Sequence, residues 1–155
     1  MKRVLFVSIL AAALAVPSAA ISSGQDLDAT AVAKRGDFGI FFTIISKNGK
    51  PIKAKRFKYE QVDVTCAVGG PLVVSGRRFG IAKSGSNGPA LINKKRRFKK
   101  TYPSEAEGGG MGTFRVTGQV NKAGTKVKGT IRVKGDYNAA GASDCDSGRL
   151  TYVAQ

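Results

Sequence analysis

The side chains best able to do chemistry in this sequence are cationic, and they are densest in the run 94–100. Six cations there flank one aromatic residue, Phe98. Such a segment could hold phosphates or sulfates by charge, with the ring able to stack on a ligand. The alternative is that Phe98 enters the core while the lysines protect a wet strand edge against aggregation.

Two further basic rows follow extended segments, and their cations recur at every second residue or nearly so. One row begins at Lys126 and the other at Lys50. If the strands that carry these rows adjoin, the fold has one broad cationic face. The candidate polyanion-binding residues are Lys94, Lys95, Arg96, Arg97, Lys99, Lys100, Lys126, Lys128, Arg132 and Lys134. We expect anionic envelope polymers or extracellular polyanions as partners, without specific reading of nucleic-acid bases, since no helix-based DNA-reading motif is present.

The sequence lacks the residues that several kinds of catalysis require. The chain has no histidine, which removes Ser-His-Asp and Cys-His catalysis and the commonest zinc ligand. Neither the common serine-nucleophile motifs nor a phosphate-binding or dinucleotide-binding fingerprint occurs. We therefore expect a non-enzymatic protein without a cofactor or a resident metal.

Paired carboxylates remain as an option for acid–base chemistry. Glycan hydrolysis needs two carboxyl groups about 5–10 Å apart. One close pair, Glu105 and Glu107, stands beside three glycines, where rigid positioning is difficult. The acidic segment 136–146 has a partial calcium-loop pattern, but it lacks two of the expected ligands. The alternative there is that Asp144 or Asp146 caps a turn through backbone N–H groups.

The N-terminus predicts export. Lys2 and Arg3 precede an apolar run that ends at Pro17, and small residues follow up to Ala20. This order is typical of a signal peptide with cleavage after residue 20, and the apolar run is shorter than the roughly 20 residues of a membrane-spanning helix. Loss of the two leader cations lowers the formal charge from +16 to +14. The expected location is secreted or associated with the cell envelope.

The chain has two cysteines, Cys66 and Cys145, so only one intramolecular disulfide is possible. An exported protein reaches an oxidising compartment, where such a bond persists. It would close a loop of about 80 residues. Two free thiols or an intermolecular bridge are the alternatives.

Alternating polarity predicts strands in most of the remaining chain. The strongest pair is 114–120 and 127–134, joined by a turn at 121–124. A parity switch near Glu60–Gln61 predicts a β-bulge, and Asn48-Gly49 predicts a tight hairpin turn. Further strands are predicted at 38–45, 72–74, 91–98 and 150–154, with loops at 83–90 and 105–112, and no segment shows helical spacing with caps.

These motifs resemble a group of small secreted bacterial all-β domains of uncharacterised function. The most specific part is the C-terminal pattern Cys-x-Ser-Gly-x-Leu-x-(Tyr or Trp)-x-Ala, which here runs from Cys145 to Ala154. Tyr152 stands where tryptophan is more frequent in the group. The resemblance implies an antiparallel β-fold with one bridge between the second strand region and the last hairpin, and it implies no catalytic residue. The other matching segments are 39–42, 57–59, 97–98, 114–118 and 128–131.

The sequence therefore predicts an all-β protein, a single antiparallel β-sandwich or small β-barrel closed by one disulfide. Residues 1–20 are the predicted signal peptide, 21–34 a flexible tail and 35–155 the all-β domain. The favoured function is a secreted binding domain for anionic polymers. A protein–protein module of adhesin or inhibitor type is the alternative, with exposed apolar side chains in 67–75 and 83–91 as its cue. A carboxylate-dependent glycan hydrolase is the third possibility.

Overall fold

A computed structural model describes residues 22–33, 36–106 and 110–155. Those residues form ten strands and no α-helix, with one short 3₁₀ turn at Asn138–Ala140. The all-β prediction is confirmed, and the predicted signal peptide lies outside the described residues. The strands are β1 Ser22–Ala33, β2 Gly36–Lys47, β3 Lys50–Thr65, β4 Pro71–Phe79, β5 Ala90–Leu91, β6 Arg97–Ala106, β7 Gly110–Val120, β8 Val127–Tyr137, β9 Ala142–Asp146 and β10 Leu150–Ala154.

The strands form one antiparallel sheet that curls into a half-barrel, in the order β1-β2-β3-β9-β8-β7-β6. Strand β8 is central: β7 pairs along one of its edges, and β9 and β10 share the other. Strands β4 and β5 both pair with β3. Among the described residues, no helix has the length and apolar character needed to traverse a lipid bilayer.

Strand β3 shifts register with its neighbours at four places, and two of these shifts are bulges at a β3 residue with positive φ. Between Tyr59 and Val62 the register with β4 shifts by one residue, and Gln61 has a φ of 55°. This confirms the bulge predicted near Glu60–Gln61. A second bulge was not predicted: the register with β2 shifts near Arg56, whose φ is 57°. The two bulges increase the twist and let one long strand serve two parts of the curled sheet.

The concave side of the sheet is filled by aromatic rings. Phe57 lies near their centre, with ring centroids 5.2 Å from Phe42 and 5.7 Å from Tyr102. Phe98 is only 4% exposed, so its core placement is confirmed. Offset and edge-on aromatic pairs of this kind add to the free energy gained by burying their area. The rings in contact with one another are those of Phe42, Phe57, Tyr59, Phe79, Phe98, Tyr102, Phe114 and Tyr152.

A row of four residues crosses β6, β7, β8 and β10. In that row Phe98 pairs with Gly118, Gly118 with Gly129, and Gly129 with Tyr152. A Cβ on either glycine would overlap the aromatic ring beside it. Each ring therefore packs directly on the backbone of a glycine. A glycine in the interior of a strand allows another side chain to approach the backbone this closely.

The predicted intramolecular disulfide is present between Cys66 and Cys145, which are 79 residues apart in sequence. It joins the end of the β3 region to β9, beside the bridge between Thr65 and Asp146. Both cysteines are buried. The bond therefore fixes the one place where β3 and β9 meet.

The structure differs from the sequence prediction in three segments. Residues 22–33 of the predicted flexible tail form β1, which pairs with β2 along its whole length. The predicted strand 91–98 is interrupted, because a turn at 93–96 separates β5 from β6. The predicted loop 105–112 is shorter: β6 continues to Ala106 and β7 starts at Gly110, with 107–109 outside the described residues.

Candidate functional site

Strands β6, β7 and β8 bring the predicted basic residues of two separate segments onto one surface. Cross-strand register aligns Arg97 with Gln119 and Gln119 with Lys128. Two rows further on, Arg115 and Arg132 are neighbours. Side chains of the opposite parity point into the core. We call the outward set the cationic face; its exposed members are Arg97, Lys99, Arg115, Lys128, Arg132 and Lys134.

Arg115 belongs to this face but was absent from the predicted set. The sequence carried the signal for it, because Arg115 alternates with buried Phe114 and Val116 in the same way as Arg132 alternates with its neighbours. It was missed because it stands alone on β7, whereas the predicted residues occur in basic runs. The basic row 50–58 on β3 is separate from the face, since this part of the strand pairs with β2, β4 and β5, and β3 pairs with β9 only at Thr65.

Hydrogen bonds fix the polar centre of the cationic face. Arg97 Nε donates to Gln119 Oε1 over 2.6 Å, and Gln119 Nε2 donates to the carbonyl oxygen of Lys95 over 2.9 Å. The hydroxyls of Thr117 and Thr130 are 2.8 Å apart. A shallow depression of about 550 Å³ lies here, and Arg97, Lys99 and Lys128 are among its lining residues. An anion placed there meets the Arg97 guanidinium and the threonine hydroxyls, whose positions are set by these hydrogen bonds, together with two exposed lysines.

The opposite end of the face is partly neutralised by Asp146. Its carboxylate forms a two-point ion pair with Arg132, and Lys134 Nζ lies 3.3 Å away. The hydrogen bond from Arg132 is the main reason that the pKa of Asp146 falls well below its usual range, and the N–H of Gly148 and Lys134 add to this effect. The same hydrogen bond raises the pKa of Arg132. Uncompensated positive charge is therefore concentrated towards Arg97, Lys99 and Lys128.

The run 94–100 does not act as one unit. Lys94 and Arg96 line a second depression at the end of the half-barrel, whereas Arg97 and Lys99 belong to the cationic face. Lys100 has the inward parity: its Nζ donates to the carbonyl oxygen of Gly85 over 3.0 Å and lies 5.9 Å from the ring centroid of Tyr102.

The other two predicted basic residues flank the cationic face. Lys95 is exposed in the turn before β6, and Lys126 is half-buried just before β8. Of the ten predicted residues, five therefore fall on the face: Arg97, Lys99, Lys128, Arg132 and Lys134.

The described carboxylates serve mainly structural contacts. Asp136 Oδ1 accepts a hydrogen bond from the backbone N–H of Asp144 over 2.9 Å, and Asp146 Oδ1 accepts one from Gly148 over 2.9 Å. The turn-capping interpretation is thus confirmed for Asp146. These three acids line an open depression of about 380 Å³. The lowered pKa of Asp146 keeps its carboxylate ionised, so this residue is unsuited to the role of general acid in hydrolysis.

Within the described part of the chain, no group of three or more cysteine, aspartate or glutamate side chains is arranged so that it could hold a metal ion. The acidic pair predicted for acid–base chemistry was Glu105 and Glu107. The backbone of Glu105 lies opposite that of Met111 in the β6–β7 pairing, and Glu107 lies outside the described residues.

The C-terminal Cys-x-Ser-Gly segment stabilises the crossing from β9 to β10. Ser147 is buried, and its Oγ accepts a hydrogen bond from the N–H of Val133 over 2.9 Å while donating to the carbonyl oxygen of Gly148. Gly148 has a φ of 66°, a conformation that glycine adopts readily. With Cys145 in the disulfide, every named position of this short motif has a structural contact that accounts for its residue type.

The fold and the site together define a disulfide-linked antiparallel half-barrel that carries a cationic face on three adjacent strands. Comparison with protein-family models, curated proteins and solved structures finds no match for this chain.

Proposed function

We propose that this protein is an extracytoplasmic, non-enzymatic domain that binds anionic polymers through its cationic face. The observation that carries the proposal is the register of β6, β7 and β8, which arranges six exposed cations in a two-dimensional array. The predicted signal peptide and the disulfide support a location outside the cytoplasm.

The spacing of the array suits a polymer better than a single anion. Arg97 and Lys99 are two residues apart on one strand, about 7 Å along its axis, and Lys128 lies two strands away, about 10 Å across the sheet. A small anion can touch only part of such an array. A flexible chain with a phosphate, sulfate or carboxylate on each repeat can contact several cations and release several counterions at once.

Fluorescence anisotropy with a labelled sulfated polysaccharide, titrated at several salt concentrations, tests this function. We expect binding at low salt that weakens steadily as salt rises. Neutral dextran should not bind. Lys128→Gln should weaken binding and reduce the salt slope, whereas Lys83→Gln removes the same charge from an exposed loop and serves as the matched control. Equal effects of the two substitutions, or no binding to sulfated or phosphorylated polymers at low salt, would exclude the face as the site.

A protein–protein role is the second candidate, because apolar side chains are exposed in the two segments named for it. Val68 is 58% exposed, Val73 66% and Leu91 73%. Val73 also lines a depression of about 350 Å³ together with Leu72 and Tyr137. A contiguous exposed apolar patch is typical of an interaction site, and the candidate patch is the one around Val73. Pull-down from culture medium with wild-type protein and Val73→Ser distinguishes this function: a partner lost with the variant would support it, and identical captures would count against it.

A further inference from the structure

A second cationic site, the end groove, lies where three turns meet at one end of the half-barrel. These are the β2–β3 turn at 48–49, the segment 92–96 before β6, and the β7–β8 turn at 121–126. The groove has a volume of about 670 Å³, within the range usual for small-molecule sites. Four cations and no carboxylate are among its lining residues. The cations are Lys50, Lys94, Arg96 and Lys122.

Aliphatic side chains complete the lining of the end groove. Pro51, Ile52 and Ile92 are part of it, and Ile52 is 38% exposed. The N–H of Ile92 donates to the carbonyl oxygen of Ile52 over 2.9 Å, which holds the two isoleucine-bearing segments together. The groove therefore offers three aliphatic side chains beside its positive charge, whereas in the depression on the cationic face threonine, glutamine and the single exposed aliphatic residue Leu91 accompany the cations.

The turn that carries Lys94 and Arg96 is fixed by its own hydrogen bonds. Asn93 Oδ1 accepts bonds from the N–H groups of Lys95 and Arg97, over 2.9 and 3.0 Å. Arg96 has a φ of 57°, and its Nε donates to the carbonyl oxygen of Val120 over 3.3 Å. This contact fixes the guanidinium at the groove, so binding an anion there requires little further ordering of the turn.

We propose that the end groove binds an anionic amphiphile: a phosphate or carboxylate headgroup held by the cations, with its aliphatic part against Ile52 and Ile92. Charge alone would favour any anion, and apolar area alone would favour any detergent. The groove combines the two, so it should select molecules that carry both. The end groove adjoins the depression on the cationic face without being part of it: Arg96 and Arg97 line different depressions, and Asn93 lines both.

Three probes separate the two contributions: octyl phosphate, inorganic phosphate and octyl glucoside. Changes in amide chemical shifts, measured by NMR as each probe is titrated, give the affinity of the probe and identify the residues at which it binds. We expect octyl phosphate to shift the amides of Gly49, Ile92 and Lys122 at concentrations where neither other probe does. Inorganic phosphate binding as tightly as octyl phosphate would show a simple anion site and overturn the amphiphile proposal, and so would octyl glucoside binding equally well.

Matched variants test the residues. Lys94→Gln/Lys122→Gln removes two charges from the groove, and we expect octyl phosphate affinity to fall about tenfold, from roughly two weak ion pairs. Lys99→Gln/Lys128→Gln removes two charges from the cationic face and should leave that affinity unchanged while weakening polymer binding. Equal losses of octyl phosphate affinity in both double variants would contradict the proposal that the end groove is the binding site. Polymer binding is measured with a separate ligand, so its failure would be distinguished from this result.

The apolar wall has its own control. Ile52→Ser should weaken octyl phosphate binding, whereas Val153→Ser changes a similarly exposed residue on β10 and should not. Thermal melts of each variant establish that it is folded. If Ile52→Ser and Val153→Ser bind octyl phosphate equally well, the aliphatic contact is absent and the proposal fails.

Discussion

The phenol of Tyr152 on β10 donates a hydrogen bond to the backbone carbonyl of Thr117 on β7, 2.9 Å away, across the intervening strand β8. The ring can reach this far because the residue beneath it is Gly129. One side chain thus ties together three strands that carry or adjoin the cationic face. Changes at this contact should affect the shape of the face as well as stability.

Gly129→Ala should destabilise the protein by about 2–3 kcal/mol, because the added methyl group would overlap both the Tyr152 ring and the backbone of Thr117. Tyr152→Phe keeps the packing and loses only the hydrogen bond, so its cost should be about 1 kcal/mol. Urea denaturation of the two variants and wild type measures both values. Equal costs would show that the glycine is not required by the ring.

Removal of the disulfide should lower stability substantially. Cys66→Ala/Cys145→Ala frees a loop of 79 residues, which corresponds to about 4–5 kcal/mol of unfolded-state entropy. Urea unfolding of wild type with and without reductant should reproduce the loss seen in the variant. Should the reduced wild type and the oxidised protein unfold at the same urea concentration, the bond contributes nothing to stability.

High pH should destabilise the fold through its tyrosines. Burial raises the pKa of all four tyrosines, and for Tyr59 hydrogen bonds with Ser104 and Tyr137 partly oppose the increase. In the unfolded chain a tyrosine titrates near pH 10. A raised folded pKa means that the stability contribution is complete below about pH 10 and is lost as pH rises above it. Absorbance at phenolate wavelengths should therefore rise together with unfolding, and a normal titration of the native protein near pH 10 would contradict this expectation.

Asp146 should contribute stability that disappears in acid. Its folded pKa is lowered, chiefly by the hydrogen bond from Arg132, so the contribution is present above its unfolded pKa and is lost as pH falls below it. Asp146→Asn should lower the melting temperature at pH 7 and differ less from wild type near pH 2. The same substitution removes a negative charge from the edge of the cationic face, and we expect tighter binding of sulfated polysaccharide. Asp63→Asn, at an exposed position of β3, is the control.

Most of the fold could be predicted from the alternation of apolar and polar residues along the chain. The alternation in β7 and β8 predicted both strands and their turn, and the parity switch at Glu60–Gln61 predicted a bulge. The same kind of switch lies between Ala54 and Phe57, so the bulge at Arg56 could have been predicted by the same argument. Strand β1 was missed although Leu27, Ala29 and Ala31 alternate with polar residues, because two of the three are alanine, which favours strands only weakly, and among the described strands it pairs with β2 alone.

The candidate sites were predictable to different degrees. Basic residues on β6 and β8 were found because each strand carries several of them, and the structure shows that β7 joins the two rows. The end groove was missed because its walls come from three turns that are distant in sequence. The turn at Asn93 was also missed. There the side-chain oxygen of Asn93 accepts hydrogen bonds from the N–H groups of Lys95 and Arg97 in place of a neighbouring strand, and such a local hydrogen bond produces no periodic pattern in the sequence.

Asn93 has a further consequence for how the two sites can be used. Its single side-chain oxygen accepts hydrogen bonds from the N–H groups of Lys95 and Arg97, the residues on either side of Arg96. The backbone of the turn cannot rotate Arg96 onto the cationic face without loss of both bonds. Each guanidinium is thereby committed to its own side of the turn. A polyanion on Arg97 and an amphiphile at Arg96 would therefore lie on opposite sides of Asn93, which lines both depressions.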